Sequence, residues 1–135
     1  MTLQLSTGVR NAVLDSIETA AGASAILKIR TGAVPATCAT ADTGTVLATV
    51  SLPADWMAAA AGGSKAEQGT WSDDAADGAG TAGHFRIYAA DGVTCHLQGT
   101  ITATGGGGDM TVDNTNFALG QKFSIDGFTL TAPGA

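Results

Sequence analysis

Charge is scarce in this chain: 13% of its 135 residues are charged, and the 6 basic residues are outnumbered by 12 acidic ones. A nucleic-acid groove needs a stripe of Lys and Arg to neutralise phosphates, so no nucleic-acid partner is expected. Aromatics are equally sparse at 5%. A core made from Ala, Val, Thr and Gly gains little per residue, because burial is worth only about 25 cal/mol per Å². Assembly is therefore expected to add to the stability of the single chain. No apolar run approaches the roughly 20 residues of a membrane-spanning helix, so no membrane partner is expected. Cysteine is limited to Cys38 and Cys95. Met1–Thr7 has no basic start leading into an apolar stretch, so a secretory leader is not expected. Folding in a reducing cytoplasm with both thiols free is the corresponding expectation.

What the chain does have is alternation. The stretch His84–Ala103 reads HFRIYAADGVTCHLQGTITA. Phe85, Ile87 and Ala89 alternate with His84, Arg86 and Tyr88; beyond Asp91-Gly92 the period of two resumes through Cys95, Leu97, Gly99, Ile101 and Ala103. Successive side chains on a strand point to opposite faces, and Asp-Gly suits a tight turn. The pattern predicts an antiparallel hairpin with one apolar face, leaving His84 and His96 on the solvent side. A second layer has to cover the apolar face.

Leu5–Ala21 predicts the one helix, capped by Ser6 or Thr7 and stopped at Gly22. At 100° per residue, Val9, Val13, Leu14, Ile17, Ala20 and Ala21 fall in one arc, with Asn11, Asp15 and Glu18 opposite. The apolar arc is expected to face the core. Ser24–Thr31 and Thr45–Leu52 are expected strands, joined by a loop over Gly32–Gly44. Pro53 ends the second strand, and Trp56 and Met57 follow in a short helical turn. Ala58–Gly69 is expected to be a mobile loop, Gly69-Thr70-Trp71 to open a strand, and Ser72–Gly83 to be an acidic loop. Gly105–Gly108 is expected to be a hinge or exposed bend, Met110–Asp113 a short strand, and Gln121–Thr131 a strand with a bulge or kink at Asp126-Gly127, or a very tight hairpin. The tail from Ala132 should fray. About seven short strands, with turns at intervals of about ten residues, indicate a single mainly β domain over residues 1–135. Its expected form is an antiparallel β-sandwich or jelly roll with one N-terminal amphipathic helix.

No catalytic, cofactor or metal site is expected. Asp73, Asp74, Asp77 and Gly78 hint at a calcium loop, but Ala75 and His84 occupy the third and twelfth positions, where such a loop needs acids. A solvated acidic loop is the expectation. Cys38, Cys95, His84 and His96 lack the spacing of a zinc site, and the neighbours Cys95 and His96 face opposite ways. The glycine run lacks the Lys-Ser/Thr of a phosphate loop. Trp56, Trp71 and Tyr88 suggest an aromatic platform, against which stands the commoner role of core residues. The candidate protein-interface residues are Arg10, Trp56, Met57 and Trp71. Arg10 lies at the edge of the apolar arc; either it lays its stem on the core or it meets an acidic group on a partner.

Three stretches together carry a resemblance: LSTGVRNAVLDSIETAAGASAILKIRTGAVPA, VLATVSLPADWMAAAAGGSKAEQGTW and AGTAGHFRIYAADGVTCHLQGTITATGGGGDMTVDNT. The chain resembles the small virion structural proteins of tailed bacteriophages, among them the cement or decoration proteins on the outer face of the capsid shell. The resemblance covers about residues 3–115 and leaves NFALGQKFSIDGFTLTAPGA outside it. It implies a jelly-roll-like sandwich, self-association as a homodimer, and clamping of neighbouring subunits of the major capsid protein. It also implies no enzymatic residues, a place on the capsid exterior, and assembly in the host cytoplasm. A tail, fibre or baseplate component that binds a receptor is the alternative.

Overall fold

In the computed structural model, which describes residues 3–135, one helix precedes nine strands. Helix α1 (Thr7–Ala21) leads into β1 (Ile26–Thr31), β2 (Val46–Ser51), β3 (Ser64–Ala66), β4 (Ser72–Asp73) and β5 (Gly80–Tyr88). Then come β6 (Cys95–Ala103), β7 (Met110–Val112), β8 (Asn116–Phe117) and β9 (Phe123–Thr131). The fold is mainly β and sandwich-like, with 39% strand and 11% helix. The sheet runs β2-β1-β5-β6-β7-β9-β3, with β4 added on β9 and β8 on β5. All pairs are antiparallel except β6 with β7.

The hairpin of β5 and β6 forms as the alternation predicts, with His84 opposite Thr100 and Ile87 opposite Leu97. Asp91 fixes its turn: one carboxylate oxygen accepts from the amides of Val93 and Thr94, and Gly92 takes φ 69°. Residues 104–109 join two parallel strands, although parallel neighbours ordinarily need a crossover of a dozen residues or more. Gly105 and Gly107, at φ 87° and 80°, let the chain double back within that length. Thr102 then closes the bend by accepting from the Gly108 amide. On β9, Thr111 pairs with Gly127 and Val112 with Ile125, so Asp126 is the extra residue of a bulge, not the tip of a hairpin.

The sheet curls until its two halves face each other. Phe85 on β5 and Phe128 on β9 are separated by two strands in the sheet, yet their rings meet edge to face at 5.5 Å. Trp71 stacks obliquely on Phe128 at 5.6 Å and Trp56 on Trp71 at 5.9 Å, so four rings run through the core. Ala25, Leu27, Ile29, Leu47, Ala48 and Ile87 surround them without exposure. Each large apolar side chain buried here stabilises the fold by about 1.5–3 kcal/mol relative to leaving it in water.

The acidic stretch is not simply solvated, because it closes the curled sheet. The Asp77 amide donates to the Leu47 carbonyl at 2.7 Å, Asp73 accepts from the Thr49 amide, and Asp77 accepts from the Thr49 hydroxyl. Two outward backbone groups of edge strand β2, the Leu47 carbonyl and the Thr49 amide, are thereby satisfied. The expected loop over Ala58–Gly69 instead contains β3, paired with β9 and carrying the buried Lys65. At Pro53–Met57 the expected helical turn is reduced to a single turn at Ala54-Asp55, and Met57 bridges to Glu67. The tail does not fray: Ala132 is buried, its amide donates to Gly63, and the Leu5 amide donates to Gly134 at 2.8 Å. The ends of the fold are thereby tied side by side.

Candidate functional site

Helix α1 is set in place by its polar side chains. Ser6 caps it, accepting from the Val9 amide, and Gly22 ends it at φ 90°. Asn11, Asp15 and Glu18 lie three and four residues apart, which puts them on one face. Asn11 accepts from the amide of Gly63, Asp15 from Ala60 and Glu18 from Met57, at 2.9, 3.0 and 3.2 Å. The three acceptors thus satisfy three amides at a spacing of three along an irregular segment. Beneath them Lys65 donates to Asp15 at 2.7 Å, Glu18 at 3.0 Å and the Ala58 carbonyl at 2.9 Å.

This docking rotates the helix away from the orientation expected from the apolar arc, so that part of the arc faces outward. Leu14 and Ala21 do turn inward, but Val9 and Val13 are 48% and 46% exposed, and Ala12, Ser16 and Ala20 are exposed with them. The physical reason is the demand of the 57–63 segment and of Lys65. Their donors would be left buried without partners if the valines faced them, at about 1–3 kcal/mol each. The outward face of α1 is left with small, mostly uncharged side chains.

Arg10 is half-buried and holds the chain's own tail: Nε and Nη2 both donate to the Ala132 carbonyl, at 3.2 and 2.7 Å. Trp56, Met57 and Trp71 are at most 1% exposed, so the interface role expected of them gives way to a core role. Trp56 anchors the helix end by donating from Nε1 to the Gly22 carbonyl at 3.1 Å, and Trp71 donates to Gln68. An aromatic surface platform is ruled out by the same burial, since Tyr88 is also fully buried.

The second polar assembly lies on the face of β1 and β5 away from the aromatic core. His84, expected on the surface, and Arg86 on the same strand face are buried to 0% and 2% because residues 32–45 fold over them. Asp42, on that loop, accepts from Arg86 at 2.7 Å, from Arg30 at 3.0 Å and from the Tyr88 hydroxyl at 2.7 Å. Arg86 also donates to Gln98 and to the Thr37 carbonyl, and Gln98 donates to Pro35. His84 Nδ1 donates to the Gly32 carbonyl at 2.9 Å. Burial opposes the charged form of Asp42, but the hydrogen bonds from Tyr88 and Arg86 outweigh it and hold the carboxyl below its ordinary range. The assembly straps a loop to a sheet with one acid between two guanidinium groups. His96, by contrast, is exposed as expected.

A cleft of about 460 Å³ opens between α1 and residues 54–59, lined by Asp15, Glu18, Asp55 and Lys65. Its buried ammonium has all three hydrogens already donated. Among the described residues no three His, Cys, Asp or Glu side chains are grouped to hold a metal ion. The orientation of α1, missed from the sequence, had one available signal: Asn11, Asp15 and Glu18 form a stripe as regular as the valines. Compared with known family models, curated proteins and solved structures, the chain has no significant match in any of the three.

Proposed function

We propose that the protein is a non-enzymatic structural component of a tailed-phage particle, a decoration protein that docks on the outer face of the capsid shell and bridges neighbouring subunits of the major capsid protein. The observation that carries this reading is the outward face of α1. Its charged residues Arg10, Asp15 and Glu18 are each bonded to the body of the protein, although Asp15 keeps 49% of its side chain exposed, and Val9, Ala12, Val13, Ser16 and Ala20 present an uncharged surface in a molecule of formal net charge −6. Such a face packs against another protein without desolvating an unpaired ion. The three stretches that resemble virion structural proteins supply the identity of the partner. The curled sheet is already ordered, so docking costs little conformational entropy, and repetition over a shell multiplies a modest contact.

The test is reconstitution. Purified protein mixed with heads that lack it should co-sediment with them in a saturable ratio and raise the temperature at which they release DNA. V13K, which changes only the exposed face, should lose most of that binding while remaining folded. Recovery of the protein with isolated tails, and none with heads, would sink the proposal. Dimers in solution that V13K disrupts, with no binding to heads, would mean that α1 pairs with its own copy instead.

A further inference from the structure

Cys38 sits on the loop that roofs the Arg30, His84, Arg86 and Tyr88 layer, and Cys95 opens β6 beneath it. The residues are 57 apart in sequence, yet their sulfurs are 2.7 Å apart, inside ordinary non-bonded contact. Both thiols are free and half-buried. The loop that carries Cys38 is already held by Asp42 and by the Pro35 and Thr37 carbonyls, so the sulfurs are kept together by bonds on either side of them. A disulfide needs its two sulfurs brought close together, and here the fold has done so without it.

We infer that Cys38 and Cys95 form a redox pair that closes into an intramolecular disulfide on meeting a small-molecule disulfide such as oxidised glutathione. The step is thiol–disulfide exchange. One protein thiolate attacks a glutathione sulfur, a mixed disulfide forms and one glutathione thiolate leaves. The second protein thiolate then attacks the protein sulfur of that mixed disulfide, the Cys38–Cys95 bond forms and the second glutathione thiolate leaves. Two electrons pass to the oxidant, and the two protons end on the released thiols. Burial, with the Cys38 thiol beside it, pushes the Cys95 thiol up. The bond staples the roof loop to the sheet, and because it closes a long stretch of chain it restricts the unfolded state strongly. This pairing does not depend on what the protein docks on.

The experiment is oxidation of the folded chain. Incubation with oxidised glutathione should remove two hydrogens from the intact mass, and a tryptic digest should link the peptides 31–65 and 87–122. The melting temperature should rise by roughly 6–15 °C, fall back on reduction with dithiothreitol, and be indifferent to oxidant in C38A. The mass and peptide readings use the unaltered chain, so they stand whether or not C38A folds. Thiols that stay unreacted in the folded chain while the urea-unfolded chain oxidises would overturn the inference. So would a stable glutathione adduct, or a bond between two chains on a non-reducing gel.

Discussion

The ammonium group of Lys65 donates all three of its hydrogens, to Asp15, Glu18 and Ala58, with the side chain 2% exposed. Burial works against its charge, but the hydrogen bonds to Asp15 and Glu18 outweigh that and hold it above the ordinary lysine range. Removing one member of such a set strands the others. K65M should cost about 3–4 kcal/mol in urea unfolding at neutral pH. A lysine raised on folding contributes fully below its unfolded value and loses that contribution as pH climbs through the folded one. The gap between wild type and K65M should therefore narrow above about pH 10.5. Asp42 has the opposite sign. Its carboxyl is lowered on folding, so its contribution is present above about pH 4 and is lost as pH falls through the lower folded value. D42N should cost about 2 kcal/mol at neutral pH, less than a fully buried pair because Asp42 keeps 38% of its side chain exposed. Acid titrations of stability should be shallower for D42N than for wild type.

At the scale of elements, helix α1 gives the sharpest prediction because the two orientations differ in consequence. V9K/V13K should change stability by less than about 0.5 kcal/mol, the usual effect of surface substitutions. Had the valines faced the core, the same pair would cost several kcal/mol; chemical denaturation separates the two cases. The hairpin, the bulge and the helix ends were legible in the sequence because each is written locally. Asp91-Gly92 sits between two strict alternations, Asp126-Gly127 interrupts one, and Ser6 and Gly22 bracket a helical period. The orientation of α1 was not legible, because amphipathicity says only that two faces differ. Which face turns inward depended on amides of residues 57–63 and on Lys65, far along the chain. Strand β3 was hidden for a related reason: Ser64–Ala66 is too short to alternate and exists only because β9 offers an edge. His84 looked solvent-facing because nothing in its own stretch announces the loop that covers it. Trp56, Met57 and Trp71 are large, and size is what sends such residues to a core otherwise short of large side chains.

For the whole molecule, the seam where β2 meets the acidic stretch decides whether the sheet behaves as an open or a closed surface. Its polar contacts are exposed, so each is worth about 1 kcal/mol. D77A/T49V should lower global stability by about 1–2 kcal/mol while speeding hydrogen exchange at the β2 amides far more than at those of β5. Uniform acceleration across both strands would mean that the seam opens only with the rest of the fold.

The tie between Leu5 and Gly134 also makes the order of the chain dispensable. A few residues of linker would join the ends, and a new start could be cut at Asp91-Gly92, the tip between strands paired from His84–Thr100 to Tyr88–Cys95. Such a circular permutant should refold to the same sheet. It would carry any fused peptide at the hairpin tip, making the protein a display scaffold.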